Sequence, residues 1–245
     1  MSRGAVLVTG GAKRLGAYFV RALAESGWTC VVHYGSSREE AEALAAEVGG
    51  ASVQADLSDL EGLAALIRRA AEAAGRPLTG LVNSASMFEH DRAESVTPDA
   101  LAGHFAVNAA APVLLARAFA AQAPAGAALV NVLDQKLWNP NPDHLSYTLS
   151  KAALREATVL LAQGLAPKVR VMGVAPGYTL PAPGESEADF VAHAGDHNAL
   201  RRRLEPEHVA QAVRFALECP ALTGSVILAD NGEHLVPTTR DAGLG

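Results

Sequence analysis

The chain has 245 residues, 49% of them hydrophobic and only 5% aromatic, which suits one large α/β domain with a core of Ala, Val and Leu. A formal charge of -6 argues against general nucleic-acid binding, which wants a basic face. Two cysteines, Cys30 and Cys219, make no disulfide framework and have neither CxxC nor metal-ligand spacing; both read as buried or neutral thiols.

MSRGAVLVTGG enters a strand at once (Ala5 to Thr9), with no signal-peptide core. No apolar stretch reaches the roughly 18 residues of a membrane span, so a soluble, cytoplasmic protein without membrane contact is expected. A glycine-rich turn and the helical LGAYFVRALAESG come next. CVVHY (Cys30 to Tyr34) is a second strand, and REEAEALAAEVGG a helix ended by Gly49. ASVQADL leads to the helix EGLAALIRRAAEAAG, and LTGLVNSAS supplies a fourth strand. A long helix from about Pro98 to Ala121 follows, with Thr97 as N-cap. AALVNVL is the fifth strand, LSYTLSKAALREATVLLAQGLA a helix, and KVRVMGVAPG the sixth strand. EPEHVAQAVRFALECP and SVILAD close the series. Continuous apolar strands alternating with helices predict a doubly wound Rossmann-type domain over 1–245, its seven-stranded sheet mostly parallel. The stretch from Thr179 to Leu204, rich in Pro, Gly, Glu and His, breaks the pattern. It suits a substrate loop or lid, with disorder as the rival.

Thr9-Gly10-Gly11-Ala12-Lys13-Arg14-Leu15-Gly16 lies between the first strand and the first helix. Glycines there let the backbone approach a pyrophosphate, and the helix N-terminus offers free N–H groups and a positive dipole end. The second strand ends in His33-Tyr34-Gly35-Ser36-Ser37-Arg38, with no acid for a ribose 2′-hydroxyl. Arg14, Ser36, Ser37 and Arg38 suit a 2′-phosphate instead, which favours NADPH over NADH. The serines also suit a simple helix cap.

Tyr147 and Lys151 are four residues apart on one helix face, and Asp134 ends an apolar strand thirteen residues earlier. The ammonium is expected to draw the Tyr147 pKa below its ordinary value of about 10, making the phenol a proton donor or acceptor. Asp134 also suits a cap of the turn before Lys136. His144, His193, His197, His208 and His234 have no HxxxH or HxH spacing and read as surface or loop residues. Arg201, Arg202 and Arg203 read as a solvated helix end, with a site for an anionic substrate tail as the rival. Trp138 suits either the substrate mouth or a loop anchor.

Taken together and in order, TGGAKRLG, Asp56 in QADL, Asn83-Ser84-Ala85-Ser86, Asn108 in HFAVNAAAP, Tyr147-x-x-x-Lys151 and Pro176-Gly177 resemble the short-chain dehydrogenase/reductase family over the whole length. The resemblance implies that Gly10, Arg14, Leu15, Tyr34, Ser36 and Ser37 hold the NADPH phosphates and ribose, and that Asp56 and Leu57 contact the adenine. Asn83 and Ala85 would border the cofactor, and Asn108 would hold a relay water near Lys151. Pro176 and Gly177 would lie against the nicotinamide. Two departures, Arg14 for the second glycine of TGxxxGxG and Asp134 for the usual serine, resemble the pteridine reductase and dihydromonapterin or dihydrofolate reductase branch. So does NSASMF, where Phe88 matches an aromatic that sandwiches the pterin and Ser86 a pterin-contacting hydroxyl. The extra Arg of some pteridine reductases is Ser36 here. The implied activity is hydride transfer to a pteridine C=N bond, with Asp134, Tyr147, Lys151 and Asn108 catalytic. Arg14, Ser86, Phe88, Asp134 and Tyr147 would bind the substrate. Two alternatives stand beside it, a reductase of ketone or 3-oxoacyl substrates and a cofactor-binding regulator. The resemblance further implies a homotetramer paired through the helices flanking the fifth strand, which are rich in Ala and Leu on more than one face.

Overall fold

The computed structural model describes residues 3–182 and 184–242. Seven strands form one sheet: β1 (Gly4–Thr9), β2 (Trp28–Tyr34), β3 (Ala51–Gln54), β4 (Leu78–Asn83), β5 (Ala127–Val132), β6 (Val169–Pro176) and β7 (Val226–Ala229). Their order is β3-β2-β1-β4-β5-β6-β7, every pairing is parallel, and the mostly parallel expectation becomes an all-parallel sheet. The chain winds outward from β1 to β3, then resumes at β4 on the other side of β1. Ligands of such sheets bind at this reversal, outside the carboxyl ends of the strands.

The period-2 alternation of a strand explains why these runs are apolar throughout. In β1, Val6 and Val8 enter the core layer under α1 (Arg14–Glu25), α2 (Arg38–Glu47) and α8 (Pro206–Glu218). Ala5 and Leu7 enter the opposite layer, under α3 (Leu63–Ala73), α5 (Ala111–Gln122) and the far end of α6 (Leu145–Leu165). Both faces of β1 are covered, so its interior is apolar and its polar residue, Thr9, stands at the carboxyl end.

Five sequence expectations change. β3 stops at Gln54, leaving Ala55, Asp56 and Leu57 in the connection that follows. The long helix carries α4 (Pro98–Phe105), a π-turn over Ala106–Ala110, and α5; Thr97 Oγ1 accepts from the Ala100 N–H at 3.1 Å as its cap. By length and composition, Pro98–Gln122 does qualify as long and apolar enough to cross a membrane, contrary to the sequence reading. Its Ala111, Leu115 and Phe119 are wholly buried against the sheet, which makes it a core helix. The excursion after Thr179 is folded rather than irregular. It holds α7 (Glu187–His193), which starts with the Ser186 hydroxyl capping the Asp189 N–H at 3.1 Å and buries Phe190 completely. Arg201, Arg202 and Arg203 precede α8 in a loop, where Arg203 pairs with Glu187 and Glu205 and covers the Phe190 ring.

Candidate active site

A cleft of about 590 Å³ opens at the carboxyl ends of β1, β4, β5 and β6. One end is backbone. Gly10 turns the chain at φ +61°, and a Cβ there would stand 2.8 Å from Ala85 Cα. A Cβ at Gly16 would come within 2.1 Å of the Gly10 carbonyl oxygen, so α1 can start hard against the turn only with glycine. No side chain caps α1 and no acid sits in its first turn. Its free N–H groups and positive dipole end therefore face the cleft beside Gly10, Lys13, Arg14 and Leu15, an arrangement that fits a pyrophosphate. Arg14 holds φ +49°, the conformation for which glycine is the easy residue, and its guanidinium reaches across the mouth to donate to the Pro181 carbonyl at 3.0 Å.

Sequence reasoning missed the residue that fixes this turn. His33 of β2 accepts from the Gly10 N–H through Nδ1 at 3.1 Å, while Nε2 meets the Ala55 carbonyl at 3.2 Å. Those partners define the neutral Nε2–H tautomer, and burial pushes the His33 pKa down to about 4. Thr9 completes the brace, its hydroxyl oxygen accepting from the N–H groups of Ser84 and Ala85.

The remaining cofactor candidates lie around this end. Tyr34 is buried at the tip of β2; Ser36 and Ser37 follow it, and the Ser37 hydroxyl makes no capping bond to α2. That removes the cap as the explanation of Ser37. Asp56 is exposed and closes an Asx turn on Ser58 at 2.8 Å, while Leu57 is buried against α3. Ala85, Pro176 and Gly177 line the cleft. The Asn83 side chain turns away from it, donating to Asn131 at 2.9 Å in a chain that continues to Thr158.

The other end of the cleft is made of side chains. Tyr147 Oη donates to Asp134 Oδ2 at 2.6 Å, and the second Asp134 oxygen accepts the Lys136 N–H at 2.8 Å. Asp134 is thus both turn cap and partner of the phenol. Lys151 Nζ donates to the Val132 carbonyl at 2.8 Å and stands 5.7 Å from the Tyr147 ring centre. The expected downward shift of Tyr147 does not occur. Burial, and then the adjoining Asp134 carboxylate, hold its pKa well above the ordinary value, while burial raises Asp134 and lowers Lys151 to about 8. Tyr147 is a neutral phenol already aimed at an acceptor, and the proton between it and Asp134 belongs to the pair.

Phe88 stacks on His144 (4.1 Å between ring centres) and meets the Tyr147 ring edge-on at 4.6 Å, making a flat wall. His144 is therefore not a surface residue. It is buried at φ +55° before α6, its Nδ1 bonded to the Glu89 carbonyl at 3.0 Å. The neighbouring Asp91 takes the backbone N–H of Ser146 at 3.0 Å as well as its hydroxyl, acting as a distant cap for α6. Asn108 lies behind this wall. Its amide holds Met87 N (2.8 Å), Met87 O (2.9 Å) and Ser150 Oγ (3.0 Å), so its side chain braces the Phe88 loop and does not line the cleft. Ser86 sits at the rim, 3.3 Å from Asn108 Oδ1.

Three further groups face the cleft without having been singled out. Glu233 accepts from Gln135 Nε2 at 2.9 Å and Tyr178 N at 2.7 Å, and burial pushes its carboxyl up to about 8. Its Oε2 would be 2.5 Å from a Cβ on Gly177, which accounts for that glycine. Tyr178 bonds Glu185, which also pairs with His193, tying the α7 excursion to the rim. Asp241 arrives from the C-terminal segment, bound to Lys136 at 2.9 Å. These residues come from distant segments, and no local spacing marks them. Trp138 does not line the cleft; it lies under the Arg155 guanidinium as a loop anchor.

Comparison with known proteins gives relatives over nearly the whole chain. Residues 10–234 match the family model described as enoyl-(acyl carrier protein) reductase, of the short-chain type. The fold superposes on the NADP complex of FolM alternative dihydrofolate reductase 1 from Brucella canis with a TM-score of 0.90, at 38% identity and 98% coverage of both chains. Granaticin polyketide synthase ketoacyl reductase 2 of Streptomyces violaceoruber is 32% identical over 94% of this chain and 96% of its own. A dihydromonapterin reductase of an Enterobacter species is 26% identical, also over 94% and 96%.

Proposed function

The chain belongs to the short-chain dehydrogenase/reductase family, and on that premise we propose that it is an NADPH-dependent reductase of a pteridine C=N bond. As a member it is an oxidoreductase that uses NADPH. The observation that carries the finer reading is the 2.6 Å bond between Tyr147 and a carboxylate, Asp134, where the family pattern has serine. A ketone offers only an acceptor oxygen, which a hydroxyl partner serves. A dihydropterin offers ring N–H and amino donors, which a carboxylate accepts. The Phe88 ring beside Tyr147 suits a flat heterocycle. The likeness to the dihydrofolate and dihydromonapterin reductases supports the same choice.

The glycine turn and uncapped α1 would hold the cofactor pyrophosphate, with Arg14, Ser36 and Ser37 near the 2′-phosphate. Tyr34, Asp56 and Leu57 would border the adenosine, and Lys151 would hold the nicotinamide ribose between Asn83, Ala85, Pro176 and Gly177. NADPH, when bound, supplies the hydride. The protein must then position the acceptor carbon and deliver one proton to the adjoining nitrogen. Tyr147, held neutral, donates from Oη, and Asp134 orients that proton and accepts from a substrate N–H. Lys151, with a pKa near 8, balances the charge left on the phenol. Asn108 contributes by holding the Phe88 loop against α6. Arg14 and Ser86 edge the substrate at the mouth.

Following NADPH absorbance with dihydropterins, dihydrofolate and a panel of ketones tests the reading. Turnover of a dihydropterin is the expected result. Turnover of ketones alone would favour the second reading, which the likeness to the granaticin ketoacyl reductase supports.

A further inference from the structure

The last described residues of a chain usually fray, because few contacts reward their ordering. Here they are fastened by buried charge. Lys136, 2% exposed, donates to the Asp143 carbonyl at 2.6 Å and to Asp241 Oδ2 at 2.9 Å. The Asp143 carboxylate, completely buried, accepts from Arg240 Nε at 2.8 Å and the Asp241 N–H at 3.0 Å, with Arg92 at 3.4 Å on its other oxygen. Asn139 Nδ2 donates to the Val236 carbonyl at 2.6 Å. Burying this many ionic groups is costly unless each is matched, and matched pairs fix geometry more than they add stability. What they fix is a surface of the cleft: Thr238, Asp241 and Ala242 line it, and Asp241 is tied through Lys136 to the Asp134 turn. Among the described residues, Asp241 Oδ1 has no hydrogen-bond donor, which leaves a carboxylate oxygen for a ligand.

We propose that the segment Val236–Ala242 is the substrate-discriminating wall of the cleft, with Asp241 accepting an N–H or amino group of the substrate and Lys136, Asp143 and Arg240 as its positioning residues. The proposal deepens the pteridine reading and rests on it for the donor that Asp241 meets. Lys136 ties the wall to the catalytic turn, since its own backbone N–H is held by Asp134. A single lysine thereby sets the spacing between the carboxylate that serves the proton and the one that orients the ring.

Asp241→Asn and Arg240→Gln test it; the second loosens the clamp through a half-exposed side chain that does not line the cleft. Each should raise the substrate KM by about tenfold, the worth of one hydrogen bond to a charged acceptor, with kcat within about threefold. NADPH Kd, read by fluorescence titration, should stay within about twofold, and Arg240→Lys should recover part of the loss. Unchanged KM in both variants, or NADPH affinity falling in step with KM, would overturn the wall. Thermal melting identifies a variant that simply fails to fold, in which case truncation after Pro237 is read instead, by the same two constants. The two readings fail separately. A wild-type enzyme that reduces ketones and no pterin removes the pteridine function, whereas an unchanged KM in an enzyme that does reduce pterins removes the wall alone.

Discussion

The two ends of the cleft are built on opposite principles. The end that fits the dinucleotide is a backbone device: a glycine turn, an uncapped helix N-terminus, and one neutral histidine, His33, holding the Gly10 N–H. The end that faces the substrate is a side-chain device, in which Tyr147, Glu233 and Asp241, from distant parts of the chain, are all tied to the one turn Asp134–Lys136. A backbone device suits the ligand that every member of the family shares. A side-chain device can be rewritten residue by residue, and that is where substrate choice belongs. Damage to one end should therefore leave the other working.

The largest effect tests that separation directly. Asp134→Ser should lower kcat for a dihydropterin by about a hundredfold or more, within the range of a lost acid–base partner, while NADPH Kd moves less than about threefold. Equal losses in both constants would mean that Asp134 serves mainly as the cap of the Lys136 turn. Gly16→Ala should give the mirror image. Its Cβ lies 2.1 Å from the Gly10 oxygen, so the turn must open, weakening NADPH by tenfold or more and costing about 1–3 kcal/mol of stability. Substrate affinity measured at saturating NADPH should hardly change.

The same division explains how much could be read from the sequence. The sheet, its helices and the turn from Thr9 to Gly16 follow from strand periodicity, glycine placement and short spacings, all local signals. Tyr147 and Lys151 were visible for the same reason, one helical turn apart. Their acid–base state was not, because it depends on burial and on Asp134, which reverse the shift expected from Lys151 alone. His33, Glu233, Asp143 and Asp241 carry no mark in their own neighbourhoods. Asp143 and Asp241 meet only because the segment Val236–Ala242 returns to the loop before α6. The helix from Pro98 looked uniform because its composition is, while the π-turn in it places Asn108 to bond Met87 and Ser150.

A smaller effect separates the ends by pH. Glu233 is raised from 4.5 to about 8, so the folded state favours its protonated form. The stability this lends is complete below pH 4.5 and is lost as pH climbs through the window to about 8. Glu233→Gln cannot ionise. Whatever constant offset the amide introduces, the melting temperature of the variant relative to wild type should rise between pH 5 and pH 8, by a few degrees. A difference that stays flat across that range would place the Glu233 pKa near its ordinary value. His33 at the other end works in the opposite sense: lowered from 6.5 to about 4, it lends stability that is complete above pH 6.5 and is lost as pH falls toward 4.

Arg14 is the point where the two devices touch, and the smallest effect there is the most discriminating. It occupies a glycine conformation at φ +49°, a cost of about 1 kcal/mol that an arginine bears for what its guanidinium does. In this structure it spans the mouth to Pro181, joining the phosphate-binding turn to the start of the α7 excursion. Arg14→Gly should leave the fold slightly more stable, by up to about 1 kcal/mol in denaturant titration, because the relieved strain outweighs one exposed hydrogen bond. It should at the same time raise the KM of the substrate and narrow the preference for NADPH over NADH. Arg14→Lys keeps the charge and the strain but loses the forked donor, so it should show no stability gain and a partial loss of both affinities. Greater stability joined to weaker binding of both ligands would mark Arg14 as a strained residue retained for the cleft. If Arg14→Gly were destabilising, the bridge to Pro181 would instead be holding the excursion in place.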